Sequence, residues 1–302
     1  MITGLRVFPL LLVLGLSHVA QAQQAYPTAD AAAAALVAAL GSDKADAERL
    51  AALLGSDWQS YIPTDDLERE DVDAFLGLYR EKHVIESAAP ERATLVVGNT
   101  PWSFPLPLVK AKDGWVFDVQ AGGEEVRVRR IGRNELATVQ AALAYHDAQM
   151  DYAEVDRDDD GVLEYAQQFV SSDGLYDGLY WVEEPGIEES PLGPLFGDDL
   201  PDGEWHGYHY RILTAQGPSA PGGAYDYKLG DNMSRGFALI AWPARYADSG
   251  VMSFMISHDG QVFEKDLGAD GAKLATAMSL FDPDSSWQEV ADDAENETLA
   301  TP

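Results

Sequence analysis

Over the first quarter of the chain apolar residues recur three and four positions apart, and further on they alternate, which predicts helices followed by sheet. Asp30 to Leu40, with five consecutive alanines, reads as a helix that puts Leu36, Val37 and Leu40 on one face. Thr28 is its expected N-cap and Gly41 its stop. Lys44 to Leu54 predicts a second helix ended by Gly55. Asp71 to His83 predicts a third, with Val72, Phe75, Leu76 and Tyr79 at i, i+3, i+4, i+7. The period then changes. Ala93 to Val97, Ser103 to Val109 and Gly114 to Val119 read as strands of a meander, turned at Asn99-Thr100-Pro101 and Lys112-Asp113-Gly114. Pro105 and Pro107 lack amide donors, so the middle segment belongs on an edge or at a bulge.

Val126 to Ile131 is short and basic, and Asn134 is expected to open the longest helix, running to about Tyr152 with Leu136, Val139, Leu143 and Ala144 as its apolar stripe. A short helix is expected over Gly161 to Val170. Strands are expected at Gly207 to Thr214, Gly236 to Trp242, Val251 to Ser257 and Val262 to Lys265. His258-Asp259-Gly260 turns the last pair into a hairpin. Lys273 to Phe281 predicts a final helix. The reading is α+β in two parts, a helix-then-meander domain over 23–131 and a long helix with antiparallel sheet over 132–290, followed by an acidic, disordered tail over 291–302.

The first 22 residues change the picture most. Arg6, the apolar run from Val7 to Leu16 and the small-x-small Ala20-Gln21-Ala22 read as a secretory signal peptide cut after Ala22. The run is too short for a membrane span, and no later segment qualifies. The expected address is periplasmic or secreted. With no cysteine, stability must come from packing rather than disulfides. A formal charge of −31, from 20 Lys and Arg against 51 Asp and Glu, argues against nucleic acid as a partner. The charge keeps the chain soluble and would attract Ca²⁺ or a basic partner.

Asp156-Arg157-Asp158-Asp159-Asp160-Gly161 is the strongest local motif, because alternate oxygens followed by a turn glycine suit a calcium loop. With Asp156 at position one, Asp158 is three, Asp160 five and Glu164 nine. Position twelve is Gln167, where a bidentate Glu is expected. A partial calcium site and a solvated acidic turn both fit, so calcium is the one cofactor expectation. No histidine pair has metalloprotease spacing, and no nucleophile elbow, phosphate loop or dinucleotide fingerprint appears. Between Leu175 and Trp242, Tyr180, Trp181, Trp205, Tyr208 and Tyr225 crowd beside glycines. Exposed, these rings would stack on sugars or peptides; buried, they form the core of a loop-rich domain, the commoner fate of large aromatics. Arg129, Arg130 and Arg133 stand out in so acidic a chain and read as a salt-bridge clamp at the domain junction or as an anion cradle.

Several long phrases carry a resemblance. Arg129 to Leu136, Asp177 to Trp181, Ser190 to Leu195, Gly207 to Leu213, Gln216 to Ala224 and Gly236 to Ala244 resemble an uncharacterised exported bacterial family, domain of unknown function 2950. The resemblance spans nearly the whole mature chain and implies no known activity. Three helices before a curved sheet also look like the cone-shaped fold of the nuclear transport factor superfamily. The second half resembles the globular head of pilin-like proteins, without their leading apolar helix. The function expected is that of a non-enzymatic envelope protein that binds or scaffolds an envelope protein or cell-wall component. The alternatives are an acidic-site hydrolase of cell-wall sugar or peptide and a calcium-stabilised structural module.

Overall fold

The computed structural model describes residues 23–64, 68–182, 186, 188–193 and 203–291. The expected leader and nearly all of the expected tail lie outside the described residues. The chain divides into two compact units, one ending at Val126 and the other beginning at Arg127.

In the first unit α1 (Ala29–Leu40) starts where the Thr28 hydroxyl accepts from the Ala31 amide at 3.1 Å. α2 (Ala47–Leu54) is capped in the same way by Asp46, which accepts from Arg49 at 3.1 Å. α3 (Arg69–Glu81) follows. The alanines of α1 leave a thin face, so Ala29, Ala32, Leu36 and Ala39 pack closely on Leu50, Leu53 and Leu54 of α2 and on Ala93, Leu108 and Phe117 of the sheet.

The strands are β1 (His83–Ala89), β2 (Arg92–Val97), β3 (Trp102–Ser103), β4 (Leu108–Ala111) and β5 (Gly114–Phe117). They run in the order β1-β2-β4-β5, with β3 also on β2. The expected strand over 103–109 is broken into β3 and β4 around Pro105 and Pro107. β1 was not expected. The helix ends as the Lys82 amide donates to the Leu78 carbonyl at 3.0 Å, and His83 then enters the sheet. β1 pairs on one side and sends little beyond Ile85 towards the core, so its composition carries no clean alternation.

α4 (Val119–Tyr152) is 34 residues long and starts far ahead of the expected Asn134. Gly122, Gly123 and Gly132 argue against a helix there. The start is fixed by Asp118, whose carboxylate accepts from the Ala121 amide at 3.1 Å. Two of the glycines are required by close approach. A Cβ at Gly122 would sit 2.6 Å from Leu106 Cγ, and one at Gly123 would sit 2.5 Å from the Tyr61 carbonyl oxygen. The boundary between the two units falls inside this helix.

In the second unit β6 (Gln168–Val170) pairs parallel with β7 (Gly178–Tyr180). β8 (Tyr208–Leu213), β9 (Ala215–Gln216), β10 (Tyr225–Asp226), β11 (Ala238–Pro243), β12 (Met252–Ser257), β13 (Val262–Asp266), α5 (Gly271–Ala277) and β14 (Gln288–Glu289) follow. The main sheet is antiparallel, in the order β14-β13-β12-β11-β8. α4 covers one face, where the Tyr210 hydroxyl reaches Thr138 Oγ1 at 3.3 Å. α5 covers the other, where Arg211 donates to the carbonyls of Thr276 at 2.8 Å and Ala275 at 2.7 Å. β11 lies between both layers and is buried along its whole length, which explains its unbroken apolar run. The expected hairpin turn is present: Gly260 has φ +82° and donates to Ser257 O at 2.9 Å.

The helix expected over 161–170 is absent. Gln149, fully buried on α4, donates to the Ala166 carbonyl at 2.8 Å and accepts from the Ala166 amide at 2.8 Å. Those bonds hold the segment extended, as does the donation from Tyr165 N to Met233 O at 2.9 Å. The final helix stops at Ala277, and Phe281 lies beyond it, buried against Phe263.

Candidate metal centre

α4 ends at Tyr152, and the acidic loop follows directly. Asp156, Asp158 and Asp160 each present one carboxylate oxygen within 4.8 Å of the others. Two oxygens on one Ca²⁺, each 2.3–2.6 Å from it, lie no more than about 5 Å apart, so the trio fits a single ion. The turn is made by Asp159 at φ +59° and Gly161 at φ +87°. Asp156 Oδ2 accepts from Gly161 N at 2.8 Å, and Asp160 Oδ1 accepts from Val162 N at 2.7 Å. Asp156 Oδ1 is sealed from solvent and has no hydrogen-bond donor, alone among the carboxylate oxygens of the described residues in that respect. A buried acceptor left without a partner is costly, and a cation would relieve it.

Two of the counted loop positions go elsewhere. Glu164 Oε2 accepts from Met233 N at 3.2 Å, and Gln167 Nε2 donates to Asp231 O at 2.7 Å. Asn232 Nδ2 donates to Asp160 Oδ2 at 2.5 Å. The loop is therefore tied to the turn at 231–233. Burial lifts the Glu164 carboxyl above its ordinary range. Asp158 and Asp160 push the same way, against the Met233 amide and Lys228. Arg157 is the one cation within the loop, and its side chain is only 10% exposed. Its guanidinium lies 4.9 Å from the Tyr152 ring centre and 5.0 Å from that of Trp181, with Glu188 Oε2 at 3.6 Å. It points inward and leaves the three aspartates facing one another. Arg157, Asn232 and Met233 were missed in the sequence. A lone arginine among aspartates was a usable sign; the residues of the distant turn gave none.

The aromatic residues are scattered. Trp181 is buried and donates to Glu188 O at 2.9 Å, and Tyr208 is buried with its hydroxyl on Met252 O at 2.9 Å. Tyr225 meets His258 Nε2 at 3.2 Å, under the Arg235 guanidinium. Trp205 packs on His206 and Tyr210, and Tyr180 ends β7. Of the arginines, Arg130 pairs with the Asp248 carboxylate and donates through Nε to the Asp248 carbonyl at 3.3 Å. Arg129 lies on the same turn of α4, and Arg133 is exposed one turn on. Arg127 donates to Ala247 O, Asn134 to Ser249 O at 2.8 Å, and Glu135 accepts from Val251 and Met252 at 2.8 and 3.0 Å. Together these side chains seat the turn 247–252 on α4, inside the second unit.

Fold and site together define an α+β protein built on a long helix, with an acidic loop at that helix's end. Among the described residues no helix is long and apolar enough to cross a membrane. The family model described as "Protein of unknown function (DUF2950)" matches residues 23–290, and the chain belongs to that family. No curated protein matches the chain, and no solved structure does.

Proposed function

We propose that this chain is an exported, non-enzymatic protein of the bacterial envelope. It binds or scaffolds a cell-wall component or an envelope protein, and Ca²⁺ on Asp156, Asp158 and Asp160 fastens the loop-rich part of its second unit. The observation that supports the reading is the convergence of those carboxylates, one of which carries the buried, unpartnered Asp156 Oδ1. With positions nine and twelve turned to the 231–233 turn, the remaining ligands would be water and main-chain carbonyl. That places the affinity in the weak extracellular range, with Kd of about 10⁻⁴ to 10⁻³ M. A hydrolase is the weaker reading. Glu264 is raised by burial and by Glu135, but Glu135 already accepts two backbone amides and is not free to act as a base.

Thermal unfolding of the chain from Gln23, in 10 mM Ca²⁺ and in chelator, tests the metal. Ligand at roughly 10 to 100 times Kd adds about 1.4 to 2.7 kcal/mol, a rise of about 3 to 10 °C in Tm. Asp156→Ala and Asp158→Ala should abolish the rise, whereas an unchanged Tm with Ca²⁺ removes the metal from the reading. Fractionation of cells expressing the full chain tests export; uncut protein in the cytosol would sink it.

A further inference from the structure

We infer that β1 is the interface of a homodimer: its open edge pairs antiparallel with β1 of a second copy of this chain, about a two-fold axis at Val84. This goes beyond the proposed function, and neither calcium nor export enters into it.

The two edges of the first sheet are unlike. β5 is closed, because Tyr26 exchanges backbone hydrogen bonds with Trp115 at 2.9 and 2.7 Å and Gln23 Nε2 donates to Phe117 O at 3.0 Å. β1 is open. Gly98 N donates to Lys82 O at 2.9 Å, and along an antiparallel pair the residues that bond to the neighbour alternate. Lys82, Val84 and Glu86 therefore turn their backbone groups to β2, and His83, Ile85 and Ser87 turn theirs outward. Among the described residues nothing bonds to those outward amides and carbonyls. β1 contains no proline, and its bulge lies at the far end, between Ser87 and Ala89. Such an edge is a template for another strand.

The side chains of β1 select that strand. Ile85 packs into the core and His83 stacks on Tyr79 of α3, with ring centres 3.9 Å apart. The other face carries Lys82, Val84 and Glu86, alternate residues of one extended run, since Lys82 already has φ −160° and ψ 137°. All three are exposed, Val84 by 43%, and neither charge has an ion partner among the described residues. Read from 82 to 86, that face is cation, apolar, anion, which is its own complement when a copy runs antiparallel. With Val84 opposite Val84, Lys82 of each copy meets Glu86 of the other. His83 of each copy and Ile85 of the other then exchange both amide-to-carbonyl bonds. A slip of two residues sets Val84 against Glu86 and leaves Lys82 without its partner, and a further slip sets Glu86 against itself. Charge thus fixes the register. A chain of formal charge −31 repels its copy at long range, but at ~0.15 M salt that repulsion is screened beyond about 8 Å, and the paired edge is locally balanced.

One strand pair is smaller than a standard interface, so the dimer is weaker than about 1 µM. The test is sedimentation velocity of the chain from Gln23 at ~0.15 M salt, from about 10 µM to about 1 mM protein, with amide exchange at both ends of that range. We expect a concentration-dependent dimer whose formation slows exchange at the His83 and Ile85 amides. Lys82→Glu and Glu86→Lys should each weaken it about tenfold or more, because each sets like charges against one another on both sides of the axis. Mixed in equal amounts, the two variants should recover a dimer near the parent's strength, since every charge then meets its opposite. Both positions are exposed, so circular dichroism should not change. A parent chain that stays monomeric to about 1 mM, variants that associate as the parent does, or a mixture no stronger than the variants alone overturns the pairing. So does a dimer that leaves exchange at His83 and Ile85 unaltered, which would put the contact elsewhere.

Discussion

Replacing Gln149 should unfasten the second unit more than any other single polar substitution on α4. Its side chain is fully buried and does for Ala166 what a neighbouring strand would do, taking the amide and donating to the carbonyl, both at 2.8 Å. The same Nε2 donates to the Tyr145 hydroxyl at 2.9 Å. Gln149→Leu keeps the volume and leaves both backbone groups of Ala166 without a partner in a sealed site. Each orphaned group costs about 1 to 3 kcal/mol, so the loss should be about 3 to 5 kcal/mol, at the exceptional end for one residue. In thermal terms that is roughly 8 to 16 °C for a unit of this size. Urea unfolding followed by the fluorescence of Trp181, Trp205, Trp242 and Trp287, all in the second unit, reads it directly. Gln149→Glu sharpens the result, since an ionised carboxylate keeps the acceptor and loses the donor. It should be worse than Leu at neutral pH and recover in acid, where the protonated group donates again. A loss below about 1 kcal/mol for Gln149→Leu would refute the bridging role.

The glycines of α4 should separate. Gly123→Ala forces a methyl against the Tyr61 backbone and should cost about 1 to 3 kcal/mol, whereas Gly132→Ala meets nothing within 4 Å and should gain about 0.5 to 1 kcal/mol by the same denaturant assay. Glu264→Gln should stabilise the protein at neutral pH. Burial and the Glu135 charge raise the native carboxyl, so its contribution is complete below the unfolded pKa and lost as pH rises through the folded one. Parent and variant should therefore coincide in acid and diverge through the carboxylate range; divergence in the other direction contradicts the assigned cause. Asp248→Ala removes partners of both Arg130 and Arg245 on a half-exposed surface. It should cost about 1 kcal/mol and speed amide exchange over residues 247–252; unaltered exchange there would show that the arginines do not seat the turn.

How legible the fold was depended on how local its causes are. α1 could be placed to within a residue because Thr28, the alanines and Gly41 all act within the helix itself. The β12–β13 hairpin could be placed because Asp259-Gly260 sets its own turn. The failures share a different origin. α4 extends back to Val119 because Gly122 and Gly123 serve contacts with Leu106 and Tyr61, and a propensity scale counts them only as helix breakers. Residues 161–170 are extended because Gln149 and Met233 supply their hydrogen bonds from far along the chain. β1 went unread because an edge strand buries little and so needs little alternation.

The same distinction governs the candidate metal centre. Spacing located Asp156, Asp158 and Asp160 because the turn that gathers them is six residues long and is closed by its own glycine. It also counted Glu164 as a ligand at position nine and set Gln167 at position twelve, in place of the expected Glu, and there it assumed that the loop closes on itself. Instead both reach the turn at 231–233, and Asn232 comes back to Asp160. On the calcium reading proposed above, a loop that gives two of its positions to a neighbouring turn exchanges affinity for attachment. An ion bound there would be felt at Met233 and, through its carbonyl, at Tyr165 and the extended run after it. The Asp156 trio and the Gln149 bridge therefore hold opposite ends of one segment, 156–166. Because residues this close share partners, their effects should not add: in chelator, Gln149→Leu should lose less from a further Asp156→Ala than the parent protein does, since the segment it would release is already loose.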